Sequence, residues 1–181
     1  MDRSSEGQAV PRLGAWSEEG RLCWRVWAPG HEKVDVVLHD ASGKAVLKRP
    51  MRSEGAQSGY FYAELPGGHL GQLYKLEVDG LGPFPDPWSR SQPQGVHGPS
   101  QVVAADFAWT DAGWRGLKAD ALVIYEVHVG TATPEGTFQA LIPKLKGLKE
   151  LGINTLELMP LASFPGARNW GYDGVWWRPV K

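Results

Sequence analysis

The chain has 181 residues, 42% of them hydrophobic and 22% charged, a globular balance that supplies a core and excludes disorder as a description of the whole. Nineteen basic against twenty acidic side chains leave a net charge of -1, which gives no basic footprint for nucleic acid and no polybasic stretch for a membrane. Cys23 is the single cysteine, so no internal disulfide forms. Met1 to Val10 is polar, without the apolar region of a secretory signal, and no apolar run reaches the ~20 residues of a membrane span. A soluble cytoplasmic protein is expected, of one domain or one and a part. Nine Trp, fourteen Pro and twenty-three Gly favour short strands joined by tight turns.

From about Gly14 to Val103 the pattern has period two. Leu22, Trp24 and Val26 alternate with Cys23, Arg25 and Trp27 until Ala28-Pro29-Gly30 stops the run. Val34, Val36 and Leu38 repeat the alternation, and Asp40-Ala41-Ser42-Gly43 supplies a turn before Lys44 to Lys48. Phe61, Ala63 and Leu65 share a face at Tyr60 to Leu65, as do Tyr74, Leu76 and Val78 at Leu73 to Asp79. Short strands with turn signals about every 10 residues predict a small β-sandwich. Trp24 and Trp27 sit on opposite faces of one strand, so one of them belongs to the core and the other has a different neighbour. His31, His39, His69 and His97 show no metal-ligand spacing with Cys23 or one another and are expected on the surface or in loops, with no metal site and no cofactor implied.

Leu81 to Ser100 differs, because Pro83, Pro85, Pro87, Pro93 and Pro99 preset an extended path and are excluded from a central sheet. An ordered connector is expected, pinned by Phe84, Trp88 and Val96. Asp106 to Leu117, with Trp109 and Trp114, reads as a second segment crossing between domains.

At Ala121 the grammar changes. Leu122 to Val129 is a near-continuous apolar run, expected of a parallel strand covered on both faces. Thr137 is a helix-cap candidate, and Phe138, Leu141, Ile142, Leu145, Leu148 and Leu151 form one helical stripe ending at Gly152, a residue suited to the left-handed C′ position. Pro143 breaks that pattern: either a regular helix begins near it or the helix is kinked there. Ile153 to Met159 is a second strand, closed by Pro160. Strand, helix and strand over about forty residues make a βαβ unit, expected to be right-handed. Residues 120–181 number 62 against about 250 for a complete (β/α)8 barrel, so the expectation is the first part of a barrel in an N-terminal fragment of a longer protein.

The segment Phe164 to Val175, on the loop after the second strand, gathers Arg168, Asn169, Trp170, Tyr172 and Asp173. In an α/β barrel that loop lies at the carboxyl end of the strands, where active sites are built. Rings with an amide, a carboxylate and a guanidinium suit a sugar, whose faces stack and whose hydroxyls need donors and acceptors. Equally, Trp170 and Tyr172 could plug the barrel rim.

The segments Arg25-Val26-Trp27-Ala28-Pro29, Pro85-Asp86-Pro87, Gly95 to Ser100, Phe107 to Asp111, Ile124 to Thr131, Thr133 to Phe138 and Arg168 to Val175 resemble, in that order, the malto-oligosyltrehalose trehalohydrolase family. This family lies within the α-amylase superfamily (glycoside hydrolase family 13) and carries an N-terminal sandwich related to carbohydrate-binding module family 48. The resemblance runs from about Leu13 to Val175. Its Trp-Ala-Pro and Tyr-Glu-x-His elements are shared with branching and debranching enzymes, whereas Gly-Val-His-Gly-Pro-Ser and Asn-Trp-Gly-Tyr-Asp-Gly-Val favour the trehalohydrolases.

The resemblance implies an immunoglobulin-like all-β sandwich followed by the first βαβ unit of an incomplete TIM barrel: residues 11–104 with the connector at 81–100, an interdomain segment at 105–118, and the barrel start at 119–181. It implies hydrolysis of the α-1,4 bond beside a terminal trehalose unit in maltooligosyl trehalose, with that glucan as partner, by a retaining route that uses two carboxyl groups about 5 Å apart. In this superfamily those groups follow later strands, so no catalytic residue is assigned to this chain, which is expected to be inactive alone. Glu126 and Glu157 lie inside their strands and read as interior hydrogen-bonding groups together with His128. Tyr172 carries over as the tyrosine that stacks on the sugar at the cleaved bond, Trp170 and Asn169 line the same subsite, and Asp173 either joins them or braces the loop. After Val175 the family continues with a Tyr-Ala-Pro-like stretch, where this chain has Trp176 to Lys181. The alternatives are a branching or debranching relative, and a non-catalytic α-glucan-binding module.

Overall fold

A computed structural model of the chain describes residues 12–55, 58–104 and 106–175; the readings made on Met1 to Val10 and on Trp176 to Lys181 lie outside the described residues. The described residues divide into two compact units, the second being Asp106–Val175.

The first unit contains β1 (Gly14–Glu18), β2 (Arg21–Trp27), β3 (Val34–His39), β4 (Ala45–Pro50), β5 (Arg52–Ser53), β6 (Tyr60–Pro66), β7 (Leu73–Val78), β8 (Leu81–Phe84) and β9 (Ser100–Gln101). One antiparallel sheet runs β1-β2-β6-β5 and the other runs β4-β3-β7, with β8 and β9 both paired to β7. The alternation anticipated from sequence sets the inner faces. Leu22, Trp24 and Val26 of β2 and Phe61 and Ala63 of β6 meet Val34, Val36 and Leu38 of β3 and Tyr74 and Leu76 of β7 in one core, each no more than 5% exposed. Burying a large apolar side chain contributes about 1.5–3 kcal/mol, and a one-residue slip of the Trp24↔Ala63 register would turn the whole set outward. Trp24 packs edge-on against Tyr74, with centroids 6.0 Å apart, whereas Trp27 is half exposed.

The outer face of the β1-β2-β6-β5 sheet has its own cover. Cys23 pairs across to Trp16 and Glu64, and Tyr62 Oη lies 3.3 Å from its Sγ. Arg25 forms a two-pronged contact with Glu54, at 2.6 and 2.9 Å, and its guanidinium lies over the rings of Trp16 and Tyr62. Cys23 and Trp16 are therefore buried on a face that periodicity alone assigns to solvent.

Two expectations need correction in this unit. His39, read as a surface or loop residue, closes β3 and is buried, with Nδ1 3.1 Å from Val37 O; both faces of β3 are covered. Phe84, read as a pin for the connector, is exposed, because β8 is an edge strand, the position that tolerates Pro83. Val96 is buried as anticipated and Trp88 is half buried. What fixes the connector is Asp86, hydrogen-bonded to Tyr74, Trp88 and Ser100.

The second unit contains β10 (Ile124–Val127), α1 (Val129–Ala132), α2 (Phe138–Leu141), a 3₁₀ turn at Ile142–Lys144, α3 (Leu145–Glu150) and β11 (Thr155–Leu158). The two strands are parallel, with Ile124 opposite Thr155 and Glu126 opposite Glu157. Asn154 fixes their entry: its Oδ1 accepts from Val123 N–H and its Nδ2 donates to Ala121 O. Thr137 caps α2 by accepting from Ala140 N–H. Pro143, which lacks an amide donor, sits in the 3₁₀ turn that separates α2 from α3. Gly152, at φ +102°, ends α3 with Gly152 N–H donating to Lys149 O and Ile153 N–H to Leu148 O, the paired bonds of a Schellman cap.

The apolar run Leu122 to Val129 forms a strand over only four residues, and its coverage on both faces is not observed: Leu122, Val123, Ile124 and Tyr125 are all exposed. The small core of this unit is Val127, Val129 and Leu141. Of the helical stripe only Leu141 is buried, while Ile142 and Leu151 are open to solvent. Among the described residues, two parallel strands of four residues give this apolar pattern little to pack against.

Candidate functional site

The carboxyl ends of β10 and β11 deliver His128 and Met159 to the same end of the parallel pair. The chain after Met159 loops through Phe164 and Arg168 and returns as Asn169 to Val175. Met159 to Asn169, with His128, Gly130, Thr131 and Glu135, line an open cavity of about 830 Å³, into which His128, Arg168 and Asn169 contribute polar groups; Trp170 and Tyr172 lie outside its lining.

The loop is held from within and from below. Asp173 Oδ2 accepts from Trp170 N–H at 2.7 Å, so its carboxylate braces the turn. Asn169 Oδ1 accepts from Gly171 N–H at 2.7 Å and lies 2.8 Å from His128 Nε2. Gly171 is buried with φ +99°. A methyl group there would displace the end of the Met159 side chain and stand 3.2 Å from His128 Cδ2; the positive φ is what favours glycine at this position.

Tyr172 extends beside the strand and donates from its hydroxyl to Glu126 Oε1 at 2.8 Å. That bond, then the charge of Glu126, a little burial and the charge of Glu157 hold the phenol above its usual pKa of 10.0. The ring is 67% exposed, and Trp170 is 90% exposed. Two aromatic faces thus stand open to a ligand beside anchored hydrogen-bonding groups, an arrangement suited to stacking on a pyranose.

Of the residues read from sequence, Asn169, Trp170, Tyr172 and Asp173 all lie on this loop, but only the two rings are freely presented; the amide and the carboxylate are engaged in holding it. Glu126 and Glu157 sit opposite each other on adjacent strands. Sequence reasoning did not find that His128 and Met159 form the floor beneath Gly171. The available signal was the position of His128, one residue beyond the paired part of its strand. Among the described residues, no group of three or more His, Cys, Asp or Glu is placed to hold a metal ion, and no helix is long and apolar enough to cross a membrane.

Residues 12–92 match Carbohydrate-binding module 48 (Isoamylase N-terminal domain). A malto-oligosyltrehalose trehalohydrolase of Saccharolobus solfataricus is 42% identical over 164 residues, covering 91% of this chain and 28% of that protein. Its Deinococcus radiodurans counterpart is 53% identical over 118 residues, 65% of this chain and 19% of that protein. The chain therefore spans well under a third of these relatives. Among solved structures, a putative alpha amylase from Salmonella typhimurium superposes with a TM-score of 0.78 at 40% identity, over 92% of this chain and 28% of that one. A pullulanase from Bacillus acidopullulyticus gives a TM-score of 0.75 at 23% identity over 92% of this chain and 25% of that one, a likeness of fold alone. Residues 12–92 thus match a carbohydrate-binding module 48 domain, and over most of its length the chain is similar to malto-oligosyltrehalose trehalohydrolases and to an amylase-family structure.

Proposed function

We propose that this chain is the N-terminal part of a glycoside hydrolase that cleaves the α-1,4 bond adjacent to the terminal trehalose of maltooligosyl trehalose by a retaining route. On this reading residues 11–104 are the sandwich, 105–118 an interdomain segment, and 119–181 the opening βαβ unit of a (β/α)8 barrel. The catalytic acid and nucleophile belong to later strands, and the 181-residue chain alone is inactive. Tyr172 supplies a stacking face for the glucosyl unit at the scissile bond and Trp170 a second apolar face, while Asn169 and Asp173 shape the loop. The buried, unpaired Cys23 suits a reducing compartment, and the reading places the protein in the cytoplasm.

The observation that carries this reading is the loop at 169–173, anchored at the carboxyl ends of two parallel strands, the end at which α/β folds build their sites, with its rings exposed. The test is to exchange this chain for the matching N-terminal region of the Deinococcus radiodurans relative and assay the chimera on maltooligosyl trehalose. Release of trehalose, lost on Tyr172→Ala, is the expected result. Glucan transfer or α-1,6 cleavage without trehalose would assign the chain to a branching or debranching enzyme. Trehalose release by the 181 residues alone would overturn the placement of the catalytic carboxylates.

The match over residues 12–92, with Trp27 half exposed and in register with Tyr60, favours one second reading, an α-glucan-binding module. Affinity for maltoheptaose that survives truncation after Ala119 supports it, and no binding at millimolar ligand removes it.

A further inference from the structure

We propose that His128 and Asn169 are a positioning pair that sets the conformation of the loop bearing Trp170 and Tyr172, with the imidazole acting as a hydrogen-bond donor of fixed tautomer. The inference concerns the same site as the proposed glycosidase function and rests on that reading for its purpose, though its geometry stands independently.

Asn169 Oδ1 receives Gly171 N–H, which fixes the oxygen end of the amide toward the loop, since the NH₂ end would face a donor with a donor. The same oxygen lies 2.8 Å from His128 Nε2. An amide oxygen only accepts, so Nε2 must carry the hydrogen. A neutral ring then has its lone pair on Nδ1, and that atom is buried without a hydrogen-bond partner. Leaving an acceptor orphaned makes sense where the ring orientation is determined by the donor on its other side.

The ring is also wedged in place. A methyl group at Gly130 would stand 3.0 Å from His128 Cε1 and 3.3 Å from Nδ1, and one at Gly171 would stand 3.2 Å from Cδ2. Two glycine backbones therefore approach two edges of the imidazole, and a methyl group at either position would press the ring by a few tenths of an ångström. His128 in turn begins α1, its carbonyl accepting from Thr131 and Ala132 N–H. One residue thus joins the end of β10, the start of α1 and, through Asn169, the turn at Gly171. Trp170 and Tyr172 flank that turn, so the backbone that carries both rings is held by a contact neither ring makes.

The test uses the complete 181-residue chain, ¹⁵N-labelled, as wild type, His128→Leu and His128→Gln. The wild-type imidazole is expected to show a protonated Nε2 and a pyridine-like Nδ1. His128→Leu is expected to speed hydrogen exchange of the Gly171 amide about ten-fold, on the scale of one net hydrogen bond. His128→Gln, whose amide N–H can serve Asn169, is expected to restore protection, a rescue that a space-filling role would not produce. If His128→Leu does not fold, Asn169→Ala removes the same contact from the other side and is expected to move the His128 ring nitrogens. A ring protonated on Nδ1 alone, or a Gly171 amide indifferent to both substitutions, would overturn the pair. Titration with maltoheptaose bears separately on the substrate: an intact pair with no ligand response at Trp170 or Tyr172 would overturn the glucan reading and leave the pair standing.

Discussion

The Tyr74 hydroxyl donates a 2.6 Å hydrogen bond to Asp86 Oδ2, joining β7 to the Pro85-Asp86-Pro87 segment inside the first unit, where Tyr74 is 1% and Asp86 2% exposed. Asp86 also accepts from Trp88 N–H through Oδ1 and donates its own N–H to Ser100 Oγ. A carboxyl group that well buried is tolerated only when its oxygens are engaged. Tyr74→Phe is expected to lower unfolding free energy by about 1.5–3 kcal/mol, the range for a hydrogen bond to a charged group. Asp86→Ala is expected to cost more, because it removes the acceptor that both the Tyr74 hydroxyl and the Trp88 amide use. Urea unfolding of the two variants checks the order; an equal or smaller loss for Asp86→Ala would show that the carboxylate does not hold the connector.

Gly171→Ala is expected to dislodge the loop. The left-handed backbone costs a non-glycine residue about 1–2 kcal/mol, and the added methyl must also push aside the end of Met159 and crowd His128 at 3.2 Å. Gly20 is the control: its φ is +75°, but a methyl group there meets nothing within 4 Å, so Gly20→Ala carries the backbone cost alone. Hydrogen exchange at Trp170 and Gly174 should rise in Gly171→Ala and stay unchanged in Gly20→Ala.

The sandwich core was legible because period two is a local property: Leu22, Trp24 and Val26 point inward whatever they meet. What they meet was not legible. Burial of Cys23 and His39 on outer faces depends on Trp16, Tyr62 and Gln72 arriving from elsewhere in the chain, and the short strands β5 and β9 exist only by pairing with partners already in place. Leu122 to Val129 shows the reverse case. Its composition speaks for a covered strand, but a strand extends only as far as its neighbour, and β11 pairs with four residues. At the candidate site, the loop residues were found as a cluster because they are adjacent in sequence. Glu126 and His128 lie more than forty residues upstream of Tyr172 and Asn169, a separation at which spacing carries no information about contact.

His39 makes the first unit sensitive to mild acid. Burial depresses its pKa below the ordinary 6.5, opposed by the bond to Val37 O; Lys75 lowers it further and Asp40 raises it. Its folded pKa lies below the unfolded one, so the stability it contributes is fully present above about pH 6.5 and is lost as pH falls through the folded value. Unfolding free energy measured by urea between pH 7.5 and 5 should therefore decline more steeply in the wild type than in His39→Gln. Identical slopes would mean that the imidazole accepts its proton in the folded state without cost.

Glu126 is expected to raise the pKa of Tyr172. Its carboxylate accepts the phenolic hydrogen bond and repels a phenolate, and both effects favour the protonated ring. Glu126→Gln keeps an acceptor oxygen at the same reach but removes the charge, so the Tyr172 pKa is expected to fall toward 10.0 while the ring stays in place. Because the folded pKa is raised, the contact is intact at neutral pH and is lost only as pH rises through that value. Tyrosine ring carbon shifts followed by NMR from pH 8 to 12 resolve Tyr172 from the other four tyrosines. A pKa that does not move in Glu126→Gln would mean that the hydroxyl is held by something other than this carboxylate. Tyr172→Phe should leave the backbone of the loop unaltered, because Asn169 and Asp173 secure it independently. Loss of glucan stacking in that variant would therefore report on ring orientation set by Glu126.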